Sequence, residues 1–274
     1  MPRSALSFAL LLAACAPCAA AGFPWPRGAK AAVCLTYDDG IDAHLDHAMP
    51  DLEAVNLRGT FYVPGRSPSL AKRMEEWRAA AKRGHELGNH SIFHPCLRVS
   101  LKGAARAWLR PEQELEKYTV ARMVAELSAM NTLLLAVDGR ASRTYAYNCS
   151  DHLAGGESFV DALRPLFSAA RTGEGREFAD PNTVDLHFVP SWMVDKTPAA
   201  EMIAFAADAV RAGGFAVMMF HGVGGGHNIN VDREAHRGLL QWLDARRADV
   251  WTDTFENVTR HIASVRKTAG GKRR

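Results

Sequence analysis

Three short segments of the chain contain residue types that could bind a metal ion and transfer protons. In the first, residues 36–40 (TYDDG), an apolar run ends in two adjacent carboxylates, Asp38 and Asp39. Two neighbouring carboxylates repel each other if both are buried without partners, so we expect their roles to differ. One would bind a cation and the other would hold or accept a proton. Alone, the Asp-Asp-Gly sequence is more typical of an ordinary turn.

The second segment, residues 90–95 (HSIFHP), contains two histidines four residues apart. His90 and His94 can converge on one cation if they lie on a helical turn or in a tight loop. Two unrelated core or surface histidines would give the same spacing. Together with Asp39 they would supply one carboxylate and two imidazoles, a ligand set that leaves positions open for water and substrate. The combination therefore favours a catalytic metal site over a structural one.

The third segment, residues 220–227 (FHGVGGGH), places His221 at the end of the most apolar strand pattern in the chain. The glycines that follow allow the backbone to approach a ligand closely. A histidine at the mouth of a barrel strand is well placed to act as a general acid. A phosphate-binding glycine loop or a flexible linker would be the alternatives. The lack of Lys and Ser/Thr directly after the glycines argues against phosphate.

Short apolar strands alternate with amphipathic helices, which predicts an α/β fold with parallel strands in a barrel or a doubly wound sheet. Strands are predicted at residues 31–37, 59–63, 86–90, 143–147, 166–171, 185–189, 215–220 and 249–252. Helices are predicted at residues 43–55, 69–83, 119–137, 157–163, 198–212, 234–246 and 254–265. The basic stretch 95–118, with Trp108, has no strand pattern. It could be a loop or short helix over the site, since basic residues with an aromatic suit a carbohydrate or acidic polymer. We favour the alternative, a solvated surface excursion.

The length of 274 residues fits one large α/β domain or two small ones, and the net charge of +3 gives no reason to expect nucleic acid as a partner. The sequence has no G-x-G-x-x-G motif to support nucleotide binding. Beyond the N-terminus, no apolar run suggests a membrane span. The Gly- and Lys/Arg-rich residues 267–274 predict a disordered tail.

The first residues predict export from the cytoplasm. Residues 1–21 combine a positive charge, an apolar core and a small-residue cleavage site, as in a signal peptide. Alternatively, residues 12–15 (LAAC) resemble a lipobox, in which Cys15 would carry a lipid anchor. Either interpretation predicts a periplasmic, secreted or outer-membrane protein. Because an exported protein can keep a disulfide, we expect a Cys96–Cys149 bridge, with two free thiols near a metal as the alternative. Cys34 should be a buried small hydrophobe.

Taken together and in this order, the three segments resemble the motifs of the polysaccharide deacetylases, carbohydrate esterase family four (the nodulation-type deacetylase homology domain). The resemblance implies a single domain at residues 22–266 with an irregular (β/α)7-type barrel. It implies that Asp39, His90 and His94 bind a divalent metal, commonly zinc. Asp38 would be the general base acting on metal-activated water, and His221 the general acid that protonates the leaving group.

The third motif of that family corresponds best to residues 145–151 (YAYNCSD). The resemblance implies that the backbone N–H of Cys149 helps to bind the tetrahedral oxyanion. The family pattern has an arginine that pairs with the base, and here Ala146 occupies its position. Arg171 or Arg143 could replace it, and we favour Arg171 because it ends a predicted strand.

A fourth, weaker motif at residues 191–195 (SWMVD) suggests that Asp195 holds His221, with Asp185 as the rival carboxylate. Trp192 would form an aromatic wall for a sugar, or else belong to the core. The remaining substrate contacts are predicted to be Tyr147, His227 and Asn228. His44 and His47, on a predicted helix, should be surface residues.

The function that these observations favour is a metal-dependent hydrolase that removes acetyl groups from an acetylated carbohydrate. The same chemistry cleaves amides and esters, so N-acetyl and O-acetyl sugars both remain open. A deacylase of small amides on the same barrel is one alternative, and a noncatalytic glycan-binding envelope protein is another. Two histidines and one aspartate could also bind iron, but Asp38 and His221 would then have no role.

Overall fold

The computed structural model describes residues 22–173 and 175–271. The predicted signal peptide, with the alternative lipid anchor at Cys15, therefore lies outside the described residues, as do residues 272–274 of the predicted tail. The helices and strands within the described part follow each other in the alternating order that the sequence predicts.

The strands are β1 (Ala31–Asp38), β2 (Thr60–Val63), β3 (Glu86–Asn89), β4 (Thr144–Ala146), β5 (Leu153–Ala154), β6 (Glu157–Ser158), β7 (Ala169–Arg171), β8 (Trp192–Met193), β9 (Phe215–Phe220), β10 (Gly222–Val223), β11 (Asn230–Val231) and β12 (Val250–Thr252). The α-helices are α1 (Met49–Ala54), α2 (Pro68–Lys72), α3 (Met74–Lys82), α4 (Val120–Asp138), α5 (Val160–Leu163), α6 (Ala199–Ala212), α7 (Arg233–Asp244) and α8 (Phe255–Gly271).

Strand β1 is the centre of the main sheet, whose order is β7-β4-β3-β2-β1-β9-β8. On one side, the first half of β1 pairs with β12 and the second half with β2; on the other side, β1 pairs with β9 along most of its length. All pairs in this sheet are parallel. Because the strands are parallel, their carboxyl ends lie at the same edge, which is where a barrel of this class places its site.

The sheet curls so that its two edges approach each other. Val189 pairs with Arg171 at the end of β7, and the Thr172 N–H donates to the Val189 carbonyl at 2.9 Å. The segment then leads directly into β8 at the opposite edge. The fold is the irregular (β/α)7-type barrel that the resemblance implies, which confirms the predicted fold class. The predicted strand at residues 185–189 was wrong, because that segment turns. Only Val189 forms a β-bridge, although the Leu186 carbonyl also accepts from the Ala170 N–H at 2.8 Å.

Tyr37 and Asp38 illustrate how β1 positions the site. Successive side chains of a strand point to opposite faces. Tyr37 points into the outer core, where its ring stacks between Phe61 and Phe220 at centroid distances of 4.7 and 5.1 Å. Its hydroxyl lies 2.8 Å from His236 Nε2. This buried stack fixes the end of β1, and Asp38 therefore faces the barrel interior.

Several helices differ from their predicted bounds. The helix predicted at residues 43–55 starts with a π-helical turn, His44–Ala48, and the one predicted at 69–83 breaks at Arg73. Helix α8 continues to Gly271, so the boundary predicted for the disordered tail lies inside a helix. Helix α4 is long and apolar enough to cross a membrane, contrary to expectation. It packs one face against α3 and β3 of the barrel.

Candidate metal and catalytic site

The two adjacent aspartates separate because the chain turns sharply after β1. Asp38 is the last residue of β1 and is buried. Asp39 has a φ of 79° and Gly40 a φ of 53°, so both lie in the left-handed region. A Cβ at Gly40 would also come within 2.7 Å of Val63 Cγ1. The turn leaves Asp38 inside the barrel and points the Asp39 carboxylate towards the histidines.

The loop that carries His90 and His94 is held by polar side chains beneath it. Asn89 accepts from the Ser91 N–H at 2.7 Å, and the Glu126 carboxylate accepts from the N–H groups of Ile92 and Phe93 at 3.1 and 2.9 Å. Ser91 and His94 both have positive φ values, 61° and 56°. The two histidines therefore converge through a tight loop, one of the two possibilities open from their spacing.

Asp39, His90 and His94 form a cluster whose potential ligand atoms all lie within 4.8 Å of one another. Asp39 Oδ1 is 3.6 Å from His90 Nε2 and 3.3 Å from His94 Nε2. His90 Nδ1–H donates to the Ala146 carbonyl at 2.9 Å, which leaves the Nε2 lone pair directed at the cluster. Burial lowers the His90 pKa to about 4, so the ring is neutral at pH 7. A neutral imidazole with a backbone-anchored Nδ1 is the form that ligates a metal ion, so these residues fit one.

The carboxylate of Asp39 lies among four histidines. Its second oxygen, Oδ2, is 3.6 Å from His227 Nε2 and 4.0 Å from His221 Nε2. Burial opposes ionisation of Asp39, but the attraction of His94, His90, His221 and His227 outweighs it and lowers the pKa of the carboxyl. Asp39 is therefore an anion at neutral pH, as a metal ligand must be.

Asp38 pairs with Arg171, as the sequence analysis favoured. The guanidinium of Arg171 donates to Asp38 Oδ1, and both side chains are buried. Arg171 also stands directly across from Ala146, since these two residues are register partners in β7 and β4. Arg143 instead forms a buried ion pair with Asp138. This chain thus has an arginine beside Asp38 on β7, one strand away from the position of Ala146, where the family pattern has its arginine.

Neither carboxylate proposed to hold His221 does so. Asp195 is exposed and accepts from the Asn230 N–H at 3.0 Å, and Asp185 pairs with Arg164. Among the described residues, His221 Nδ1 is buried without a hydrogen-bond partner. Asp195 was a wrong prediction because β8 is only two residues long and the chain has turned to the surface by residue 195. Burial lowers the pKa of His221.

His227 has a defined tautomer. The Ile229 N–H lies 3.0 Å from His227 Nδ1, and the Ile229 carbonyl lies 3.3 Å from the same nitrogen. The shorter contact makes Nδ1 the acceptor, which places the ring proton on Nε2. That nitrogen faces Asp39, and the His227 ring stacks on His221 with centroids 4.9 Å apart.

The predicted disulfide between Cys96 and Cys149 is present, with a Cα–Cα distance of 5.9 Å. Cys149 has a φ of 53°, in a turn of 3₁₀ helix after β4. The free thiol Cys34 is buried, as predicted. The disulfide joins the loop that follows His94 to the segment proposed to bind the oxyanion.

A cleft of about 880 Å³ lies at the carboxyl edge of the sheet. The carboxylates and imidazoles described above line it, namely Asp38, Asp39, His90, His94, His221 and His227. Tyr147 and Asn228 line it, as predicted, and Tyr147 also donates to the His187 carbonyl at 2.9 Å. Trp192 does not line it. Its ring packs edge-on against Phe205, 5.0 Å away, with Arg176 on its face, so it belongs to the core and Met193 faces the cleft instead.

Sequence reasoning missed several residues that support the site. His44, expected on the surface, is buried, and its Nε2–H donates to the His221 carbonyl at 2.8 Å. Glu126 supports the histidine loop from α4, and Asp151 accepts from the Leu97 N–H and from Arg106. The burial of His44 was missed because the helix begins with a π-helical turn, His44–Ala48, which the sequence pattern did not predict. These supporting hydrogen bonds join residues that are distant in sequence, so local patterns do not predict them.

The fold and the site define a parallel α/β barrel whose strand ends present a cluster of carboxylates and imidazoles. Residues 26–154 match the sequence model of the family described as polysaccharide deacetylase. The predicted resemblance to the polysaccharide deacetylases, carbohydrate esterase family four, is thereby confirmed. A peptidoglycan-N-acetylglucosamine deacetylase from Bacillus cereus is 37% identical over 73 residues, 25% of this chain and 24% of that protein. The match thus spans about a quarter of the length of this curated relative.

Solved structures show the same fold at low sequence identity. A Mycobacterium smegmatis protein assigned to the polysaccharide deacetylases superposes with a TM-score of 0.56 and 17% identity, covering 89% of this chain and 94% of that chain. The peptidoglycan deacetylase PdaC from Bacillus subtilis gives 0.51 and 16%, covering 88% and 94%. A family 4 acetyl xylan esterase from Clostridium thermocellum, solved with a cobalt ion, gives 0.50 and 18%, covering 82% and 89%.

Proposed function

We propose that the protein is a metal-dependent hydrolase that removes acetyl groups from a carbohydrate. The observation that carries this proposal is the convergence, in one cleft, of the Asp38–Arg171 pair with the Asp39–His90–His94 cluster and His221. A general base, a ligand set with open positions and a proton donor are the parts that hydrolysis of an acyl group requires.

In this proposal Asp39, His90 and His94 hold a divalent cation, which we expect to be zinc. A cation held by these three residues would supply Lewis-acid chemistry, polarising the acyl carbonyl and lowering the pKa of a water molecule. Cobalt in the acetyl xylan esterase structure supports a divalent metal for that protein, and the donor set here suits zinc equally well.

The remaining steps belong to the protein's own side chains. Asp38 accepts a proton from the attacking water, and Arg171 keeps the Asp38 carboxylate oriented. The backbone N–H of Cys149 and the Nε2–H of His227 donate to the oxyanion as it develops. His221 transfers a proton to the departing nitrogen or oxygen. Tyr147 and Asn228 contact the sugar that carries the acetyl group.

We also propose that the protein works outside the cytoplasm. The Cys96–Cys149 disulfide supports this, because such bonds persist in oxidising compartments. Residues 1–21 would be the export signal, and cleavage before Cys15 with lipidation would distinguish an anchored form from a soluble one. Mass spectrometry of the mature N-terminus decides between the two, and an intact N-terminus on a cytoplasmic protein would contradict export.

The test is acetate release from a panel of acetylated glycans that includes chitin oligomers, peptidoglycan and acetylated xylan. We expect release that stops on chelation and returns when zinc is added. Asp161→Asn, an exposed carboxylate outside the cleft, is the matched control for variants at the site. Release from small amides alone would favour a small-amide deacylase. Tight metal binding with no release from any substrate would favour a noncatalytic glycan-binding protein.

A further inference from the structure

We propose that the cleft has an outer subsite, built by Arg66, Lys102 and Trp108, that binds a sugar unit carrying an anionic substituent. This inference rests on the proposed carbohydrate substrate and narrows its class to acidic glycans. The subsite lies on the segment of residues 97–109, which we call the arm.

The arm is fastened to the floor of the site at its base. Cys96 precedes it and is bonded to Cys149. Within the arm, the Leu97 N–H donates to Asp151 at 2.8 Å, and Arg106 donates to Asp151 at 2.6 Å and to the Cys149 carbonyl at 3.1 Å. A covalent bond and several charge-assisted hydrogen bonds thus hold the arm in one position relative to the proposed oxyanion segment.

The tip of the arm is a tight hairpin. Val99 and Ala105 form an antiparallel bridge, and the Gly103 N–H donates to the Ser100 carbonyl at 2.8 Å, with a Gly103 φ of 86°. This turn directs Leu101 and Lys102 at the cleft, whose lining they join. The arm is therefore a wall of the cleft, and the solvated excursion that the sequence analysis favoured was a wrong prediction.

The wall presents exposed apolar surface at the cleft. Trp108 is 61% exposed and Leu101 46% exposed, although both are held on an anchored segment. Met193, which also lines the cleft, is 44% exposed. Clustered exposed apolar side chains on a fixed scaffold mark a binding surface. A flat indole at the mouth of a cleft is suited to the apolar face of a sugar ring.

Two cations accompany this surface. Arg66 and Lys102 line the same cleft and are exposed, and within the described residues neither forms an ion pair with a carboxylate. Of the three carboxylates that line the cleft, Asp38 pairs with Arg171, Asp151 pairs with Arg106, and Asp39 belongs to the proposed metal cluster. The outer cleft thus carries uncompensated positive charge beside an aromatic platform. Charge complementarity favours a glycan with carboxylate or phosphate groups over a neutral one.

The experiment compares two tetrasaccharides that both contain N-acetylglucosamine. Chitin tetraose is neutral, and a hyaluronan tetrasaccharide carries a carboxylate on every second sugar. Dissociation constants are measured by calorimetry in the Asp38→Asn background, which slows hydrolysis. We expect the anionic chain to bind roughly 10-fold more tightly at about 0.05 M salt, and the difference to shrink at about 0.5 M salt, because exposed charges are screened.

Variants separate the two parts of the subsite. The double variant Arg66→Ala/Lys102→Ala should abolish the preference for the anionic chain and leave affinity for chitin tetraose in place. Trp108→Ala should weaken binding of both chains by roughly 10-fold, as loss of an aromatic anchor does. Lys82→Ala and Leu135→Ala, which remove an exposed cation and an exposed apolar side chain outside the cleft, are the matched controls.

Equal affinity for the two chains, or an equal loss for both in the double variant, would overturn the subsite. So would binding to vesicles of an anionic phospholipid that Trp108→Ala removes while neither tetrasaccharide binds, because the surface would then face a membrane. Acetate release by the wild-type protein is measured separately. A salt-sensitive anionic preference without acetate release would support the subsite and refute the hydrolase, whereas release without the preference would do the reverse.

Discussion

Arg171 and Ala146 are register partners in neighbouring parallel strands, and the guanidinium of Arg171 donates to the Asp38 carboxylate. The family pattern places an arginine at the position of Ala146. In this chain the cation stands one strand away at the same height in the barrel. Register partners in parallel strands point to the same face, so an arginine from either strand can approach Asp38.

This relationship predicts that the two positions are interchangeable. Arg171→Ala should lower the rate of acetate release by about 10- to 100-fold, as loss of an orienting partner does. It should also destabilise the fold by about 3 kcal/mol, because Asp38 is left as a buried charge without a partner. Adding Ala146→Arg to that variant should restore part of both losses. Activity assays and denaturant unfolding measure the two effects, and a double variant no better than Arg171→Ala would contradict the exchange.

A second prediction concerns the metal cluster. His94→Ala should reduce the affinity for zinc by more than about 10-fold, since one of three protein ligands is lost. Asp38→Asn should keep the metal and lose at least about two orders of magnitude in rate, as expected for a general base. Metal content after dialysis and calorimetric titration measure the first effect. His261→Ala is the control, because it removes a histidine of α8 that lies outside the metal cluster and contacts the Pro24 carbonyl. Full occupancy in His94→Ala would refute the ligand assignment.

The tautomer of His227 leads to a third prediction. Because the Ile229 N–H donates to Nδ1, the ring presents a proton at Nε2 and acts as a donor in the cleft. His227→Ala should lower kcat by roughly 10- to 100-fold with little change in metal affinity, as for loss of an oxyanion donor. His227→Gln keeps an N–H donor and should recover much of the rate. Loss of zinc in His227→Ala would instead identify His227 as a ligand.

The disulfide is the subject of a fourth prediction. It joins residues separated by 53 positions, and the loop-entropy model assigns such a crosslink about 4 kcal/mol. The double variant Cys96→Ser/Cys149→Ser should lower the free energy of unfolding by up to that amount. Wild-type protein unfolded in the presence of a reductant provides the matched comparison and should show the same loss. Identical stability of the oxidised and reduced proteins would contradict the prediction, because the disulfide would then not lower the conformational entropy of the denatured chain.

The site residues were predictable where one local pattern sufficed. Asp38 and Asp39 end a buried apolar run, and His221 ends another, so strand ends located them before the structure did. Arg171 was favoured as the substitute for the missing arginine for the same reason, because it ends a predicted strand. Asp195 was proposed from a weak motif alone, and it failed because β8 ends at Met193 and the Asp195 carboxylate accepts from the Asn230 N–H at the surface.

The remaining errors come from tertiary contacts that local patterns do not record. Trp192 could face a sugar or the core, and its packing against Phe205 from α6 decided the outcome. His44 appeared to lie on a polar helix, yet the π-turn rotates it under His221. Helix α8 runs into the Gly- and Lys-rich tail because its earlier turns are packed against the barrel, which composition alone does not reveal.

At the opposite end of the barrel, Glu86 is a buried acid in the floor. Its carboxylate accepts from Thr60 Oγ1 at 2.8 Å, from the Glu256 N–H at 2.9 Å and from Thr144 Oγ1. Burial raises the Glu86 pKa from its ordinary value of 4.5 to about 7, and the nearby Glu256 carboxylate adds to the effect. Between pH 4.5 and about 7, Glu86 therefore keeps its proton in the folded protein, whereas the unfolded chain has released it.

Because the folded state binds the extra proton, this group favours folding at low pH and costs stability as the pH rises from about 4.5 to about 7. The contribution amounts to about 3 kcal/mol between pH 4.5 and 8. Glu86→Gln mimics the protonated form and keeps an acceptor for Thr60 and the Glu256 N–H. Unfolding of both proteins should show that the variant gains stability relative to wild type as the pH rises. Comparing the variant with wild type removes the contribution of every other titrating group. A difference in unfolding free energy that stays constant across that pH range would mean that Glu86 ionises in the fold as it does in water.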